Sequence, residues 1–183
     1  MPLRQMLVNA IHDSTRRGSY TELKRLLQQP DFDPSMLVLK NTAAMKHSGL
    51  RLPPLHHAAL HGQCSELRLM LDHHVTDDTV DCPHDDLSPL LLAVRSRCVH
   101  CVEALLCAGA DPNFNIDPAA MTPLQFAVGE CSNPDIARLL LEFGAEPMLE
   151  TRYASPVQFA ASRLAPACEE REHWEAMLEM LSA

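Results

Sequence analysis

The chain has 183 residues, 24 of them Asp or Glu and 15 Lys or Arg, which leaves a formal charge of −9. At 46% hydrophobic it can bury a core, which excludes collagen-like, mucin-like and broadly disordered chains. The acidic balance disfavours nucleic acid and anionic membranes as partners, and no apolar run approaches the roughly 18 residues of a membrane-spanning helix.

Arg4, Gln5 and Asn9 interrupt the first ten residues, so no secretory h-region forms. The seven Cys are an odd count set mostly in apolar stretches, which fits reduced thiols better than a disulfide scaffold. The expectation is a soluble protein of the cytoplasm, the nucleus or both. Its charge is unevenly spread, with residues 1–52 at +4 and residues 53–183 at −13. Such a dipole would orient a partner or favour head-to-tail association.

In chain order, Ile11-His12-Asp13-Ser14-Thr15-Arg16-Arg17-Gly18 leads into Glu22-Leu23-Lys24-Arg25-Leu26-Leu27, a helix pair with a polar outer side within residues 1–30. Residues 31–52 read as an elongated loop, with a short helix near Met36 to Leu39. Then one pattern is written four times: Pro54-Leu55-His56-His57-Ala58-Ala59, Ser88-Pro89-Leu90-Leu91-Leu92-Ala93-Val94, Thr122-Pro123-Leu124-Gln125-Phe126-Ala127-Val128 and Ser155-Pro156-Val157-Gln158-Phe159-Ala160-Ala161. The Pro-to-Pro steps are 35, 34 and 33 residues. A second pattern follows each of the first three copies at a fixed distance, over Leu67–Leu71, Val102–Asp111 and Ile136–Glu146, a spacing that describes two short antiparallel helices and a connecting loop.

The local chemistry supports two short helices per unit. Ser88, Thr122 and Ser155 can cap the first helix through an orphan backbone N–H, and the following Pro suits the first helical position. Gly109 and Gly144 end the second helix. His74 stands where those glycines stand, which predicts a left-handed non-glycine residue. Arg97 replaces the glycine between the helices of its unit, and the next unit has an extra residue around Cys131-Ser132, which predicts local irregularity. After the insertion Ala165-Pro166-Ala167-Cys168-Glu169-Glu170, a final amphipathic helix is expected over about His173 to Leu181, with Trp174, Met177, Leu178 and Leu181 as its apolar stripe.

This pattern resembles the ankyrin repeat, whose consensus runs Thr-Pro-Leu-His, two small residues, a Gly, an apolar helix and Gly-Ala-Asp. The resemblance implies one all-α solenoid of helix-turn-helix units with connecting hairpin loops. The units are residues 1–30 as N-terminal cap, 53–87, 88–121, 122–154, and 155–183 as C-terminal cap, with the loop 31–52 between the first two. It also implies a non-catalytic scaffold or adaptor that binds another protein through its concave helix face and hairpin tips. By position, the concave strip comprises Leu60 and His61, Arg95 and Ser96, Gly129 and Glu130, and Ser162 and Arg163. His56 takes the consensus His position, where the family uses it for hydrogen bonding between repeats, and His12 would be its counterpart in the first unit.

The loop from Thr76 to Asp86 carries Asp77, Asp78, Asp81, Asp85 and Asp86, a negative tip suited to a basic segment of a partner or simply to solubility. It lacks the ligand spacing of a calcium loop. Cys98-Val99-His100-Cys101 with Cys107, and His73, His74, Cys82 and His84 in the preceding loop, have ligand types suited to zinc. Cys98 and Cys107 fall at opposite ends of one helix, however, so free thiols are the expectation and no metal or cofactor is assigned. The six glycines are dispersed, which excludes a phosphate-binding loop, and no small-molecule substrate is indicated.

Asn113, after Ala110-Asp111-Pro112, stands in a context similar to that of hydroxylated ankyrin asparagines, although a side chain bonded to its own turn is the favoured reading. The cysteine-rich helix from Cys98 to Cys107 is also similar to arrays that precede a SOCS box in ubiquitin-ligase adaptors. No such segment follows Leu181, so the chain would supply only substrate recognition. Masking of a basic signalling or transcription partner is a further use of an acidic array.

Overall fold

Ser88 shows how each unit begins. Its backbone is extended, its Oγ accepts the Leu91 N–H at 3.2 Å, and Pro89 enters the helix where no amide hydrogen is needed. In the computed structural model, which describes residues 2–30, 32–33, 52–74, 80–84, 87–115, 121–149, 151–163 and 171–182, the same device recurs at Thr122 and Ser155. The first helix of the second unit instead follows Pro53 and has no side-chain cap. Ser88 is buried, so Ser88→Ala is expected to cost about 1 kcal/mol by stranding the Leu91 amide. A urea denaturation midpoint checks this, and Ser88→Thr should restore it.

The described elements are α1 (Pro2–Arg16), α2 (Tyr20–Leu27), α3 (Pro54–Leu60), α4 (Cys64–Asp72), α5 (Pro89–Arg95), α6 (Val99–Cys107), α7 (Pro123–Phe126, continued by a π-helical turn Ala127–Cys131), α8 (Pro134–Glu142), α9 (Pro156–Arg163) and α10 (Arg171–Ser182). No strand occurs among the described residues, where pairing is limited to an isolated bridge between His84 and Leu87. Nor is any described helix long and apolar enough to cross a membrane.

The odd-numbered helices pack on one another as a row, α1 to α3 to α5 to α7 to α9. The even-numbered helices form a second row against it. Between the rows lies the core, in which Ile11, Leu23, Leu67, Met70, Leu90, Leu105, Leu124, Ile136, Leu140 and Met177 are fully buried. Ala58, Ala59, Ala93, Ala127 and Ala160 are equally buried and keep the first-helix row closely packed. On α10, Trp174, Met177 and Leu181 are buried and Leu178 half-buried, so the expected stripe closes the array.

Turns between paired helices repeat one geometry. The backbone N–H of the residue immediately before the second helix reaches five residues back in Ser19→Ser14, Gln63→Ala58 and Cys98→Ala93. The intervening residue is left-handed: Gly18 at φ 62°, Gly62 at 63°, and Arg97 at 58°. In the fourth unit the bond is Asn133→Ala127, one residue longer, with Ser132 left-handed. The extra residue expected near Cys131-Ser132 is thus absorbed by the π-helical turn. His74, at φ 54°, supplies the non-glycine helix ending anticipated for the second unit.

The long loop with its expected helix near Met36 to Leu39 lies almost wholly outside the described residues, as do Ala165 to Glu170.

Candidate functional site

Residues assigned to the strip sit at or just beyond the C-terminal ends of the first-helix row. His61, Arg95, Glu130, Ser162 and Arg163 are exposed, whereas Leu60 and Ser96 are half-buried. Leu60 packs against the core edge. Gly129 is buried against the Phe159 ring and has no side chain, so Glu130 alone of that pair can reach a partner. The serine hydroxyls donate to their own helices, Ser96 Oγ to Ala93 O at 2.8 Å and Ser162 Oγ to Phe159 O at 2.7 Å.

Aromatic rings order the cations of this strip. The Arg95 guanidinium lies 6.0 Å from the Phe126 centroid, and that of Arg163 lies 5.1 Å from Phe159 and 5.9 Å from Trp174. Arg97 donates to Glu130 O at 3.4 Å. In the second unit His57 and His61 stack with centroids 4.3 Å apart. Burial and the neighbouring His61 hold the His57 imidazole below its ordinary range. The strip is therefore richer in ordered cations than the overall charge suggests, with Glu130 its acidic member. Repeat phase located these positions; Phe159 lies four residues before Arg163 on one helix, while the rings of Phe126 and Trp174 come from other helices and are legible only once the helices are stacked.

Loop tips are tied to one another. Asp81 accepts the Asp111 N–H at 3.2 and 3.1 Å through its two carboxylate oxygens. Burial raises its carboxyl above the ordinary range, the Asp111 amide opposing. One unit on, Asn113 donates from Nδ2 to Gly144 O at 3.0 Å and accepts the Glu146 N–H on Oδ1 at 2.8 Å. Its side chain thus bonds the next loop rather than its own turn, correcting the favoured reading, while its backbone N–H bonds Asp111 Oδ1. Asp81 is a structural bridge as well as a charge. Asp77, Asp78, Asp85 and Asp86 lie outside the described residues.

The buried imidazoles are structural. His12 and His56 are both pushed down to about 4, in each case first by burial. The carbonyls of Cys82 and Leu87 lie near the His56 ring, and His84 meets it edge-on at 5.9 Å, but neither ring nitrogen reaches a well-aligned hydrogen-bond partner among the described residues. No hydrogen bond from the His56 ring to another repeat is formed among the described residues.

Three thiols converge at the start of the second-helix row. Cys64 opens α4, Cys98 caps α6 and Cys101 lies one turn into α6. Cys64 Sγ lies 3.0 Å from Cys98 Sγ and 2.8 Å from Cys101 Sγ. Burial raises the Cys64 thiol and raises Cys101 far more. Burial also acts upward on Cys98, but the Cys64 thiol and the backbone amides of Cys101 and His100 outweigh it and bring that thiol down. Cys107 is exposed at the far end of α6, and His100 faces Glu103, so neither joins the cluster. Cys64 escaped the sequence reading because it stands 34 and 37 residues from its neighbours, close to one repeat period.

An open groove of about 880 Å³ lies between α4 and α6, on the other row from the strip. Arg68 and Glu103, ion-paired at 3.3 Å, and Leu71, Val80 and Cys107 line it.

Comparisons agree with this architecture. A family model for ankyrin repeats in three copies matches residues 7–116, and one for a single ankyrin repeat matches residues 121–152. The human 2-5A-dependent ribonuclease is 40% identical over 78 residues, which are 42% of this chain but 10% of that protein. The chain therefore has a partial relative in one stretch and matches the repeat model over most of its length: it belongs to the ankyrin-repeat family.

Proposed function

We propose that this chain is a non-catalytic scaffold that binds another protein along the strip formed by Leu60, His61, Arg95, Ser96, Glu130, Ser162 and Arg163. The observation that carries the reading is the ordering of exposed Arg95 and Arg163, in the third and fifth units, over aromatic rings. A guanidinium already held in place loses less conformational freedom when it meets an acidic or carbonyl group on a partner. Ankyrin repeats are protein-interaction modules, which supports the same use. The ribonuclease activity in the relative's name is not carried over, because the match spans a tenth of that protein. An odd number of cysteines set mostly in apolar stretches fits a reducing compartment such as the cytoplasm or nucleus.

Affinity capture from cell lysate with the wild type and with Leu60→Ala/Arg95→Ala/Glu130→Ala tests the surface. Bound partners should fall at least tenfold in the variant at unchanged thermal stability. An identical set of captured proteins would remove the strip from consideration. Salt dependence separates the finer uses. Masking of a basic partner segment by the acidic loop calls for binding that weakens steeply with salt. Salt-insensitive binding favours recruitment of a substrate, as in a ligase adaptor.

A further inference from the structure

We propose that Cys64, Cys98 and Cys101 form a site for one thiophilic closed-shell metal ion, zinc(II) or copper(I), clamped between the second and third units. The three sulfur atoms all lie within 4.8 Å of one another. Cys98 and Cys101 are three residues apart at the start of one helix, but Cys64 comes from another, so local helical periodicity alone does not bring all three together. Among the described residues no His, Asp or Glu joins them, which makes the donor set purely soft. Soft donors select zinc(II) or copper(I) and reject magnesium and calcium, which require oxygen.

The surroundings make room for the cluster. Gly62 is left-handed at φ 63°, and a Cβ there would meet Cys98 Cβ at 3.5 Å and Cys98 Sγ at 3.8 Å. Its carbonyl accepts from Cys64 Sγ at 3.5 Å. The S···S separations of 2.8 and 3.0 Å fall between a disulfide bond, about 2.05 Å, and the edge of a zinc–sulfur tetrahedron, about 3.8 Å from its 2.3 Å bonds. Modest side-chain rotations would spread the sulfurs around an ion. A disulfide would use two of them and leave the third crowded against the pair. Cys64 and Cys98 are half-buried and Cys101 buried, so solvent reaches one side and would complete the shell.

The decisive experiment uses the full chain, reduced and handled without oxygen. It is dialysed separately against zinc(II) and against chelator-buffered copper(I), with metal content measured per chain. One equivalent in either arm is expected. Each of Cys64→Ser, Cys98→Ser and Cys101→Ser should lower the affinity at least tenfold, while Cys107→Ser leaves it unchanged. Cobalt(II) supplies a readout on the unaltered protein, because sulfur-to-cobalt charge-transfer absorption of an intensity typical of three thiolates needs no variant to fold. The proposal fails if neither ion is retained above the triple-serine background, or if Cys64→Ser binds as the wild type does. It fails equally if mass spectrometry shows the oxygen-free protein already carrying a disulfide at Cys64.

Discussion

Acidification from pH 7 to pH 4.5 should strip several kcal/mol from the fold, most of it before ordinary carboxylates begin to protonate. His12 and His56 are 2% and 1% exposed, and burial brings both imidazoles from 6.5 to about 4. In the unfolded chain they take up protons near pH 6.5, whereas in the folded chain they resist until about pH 4. The unfolded state therefore binds more protons throughout that window, and stability falls as pH falls. Each imidazole accounts for about 3 kcal/mol when the whole window is crossed, a large share of the 5–15 kcal/mol that typically holds a domain.

Neighbouring charges modify this without reversing it. Asp13 favours the protonated form of His12, while His57 opposes it, and His84 opposes protonation of His56. Asp81, with its carboxyl raised by burial, gives a smaller opposite contribution, and Glu22, held low by Arg25, titrates below the window. Denaturation midpoints at pH 7.0, 5.5 and 4.5 measure the slope. His56→Gln should remove about half of it by deleting one of the two imidazoles, and the fold should accept the change because glutamine occupies the equivalent position in the fourth and fifth units, at Gln125 and Gln158. An unchanged slope in that variant would refute the assignment.

What the chain reveals before folding is its phase. Ser88-Pro89, Thr122-Pro123 and Ser155-Pro156 mark helix starts because capping and the fixed proline φ act locally, within four residues. Left-handed His74 was legible for the same reason, as a position in a period rather than a residue preference. The π-helical turn was legible as an extra residue but not as a shape, because absorbing it inside α7 depends on Phe159 packing over Gly129 from the next unit.

Contacts between repeats were the part hidden from a linear reading. Asn113 bonds the following loop, Asp81 reaches Asp111, and Cys64 meets Cys98 and Cys101; each pair is separated by 30 to 37 residues. Residues one period apart become neighbours in a stacked array. Aligning the units vertically shows which residues fall beside each other, but not which side chains turn toward one another. Arg95 follows the same logic, since its ring, Phe126, comes from the next unit, whereas Arg163 finds Phe159 four residues back on its own helix.

Gln125→Ala is expected to cost about 3 kcal/mol, more than the loss of any cap. The side chain is 3% exposed and all its polar capacity is used. Oε1 accepts the Thr122 N–H at 2.8 Å and the Thr151 hydroxyl at 3.2 Å, while Nε2 donates to Leu149 O and Ala154 O, both at 3.2 Å. Truncation strands three backbone groups together, each costing about 1–3 kcal/mol if water cannot reach it. Gln158, in the same phase one unit later, is exposed, so Gln158→Ala should cost no more than about 1 kcal/mol. Gln125→His should fall between them, because one ring donor and one acceptor cannot replace four bonds. Because Gln125 ties α7 to the segment leading into α9, the damage should be local. Amide exchange should accelerate across residues 155–163 and 171–182 while residues 2–27 and 54–72 keep their protection. Equal costs for Gln125→Ala and Gln158→Ala, or uniform loss of protection along the array, would show that the buried amide does not hold the last unit in place.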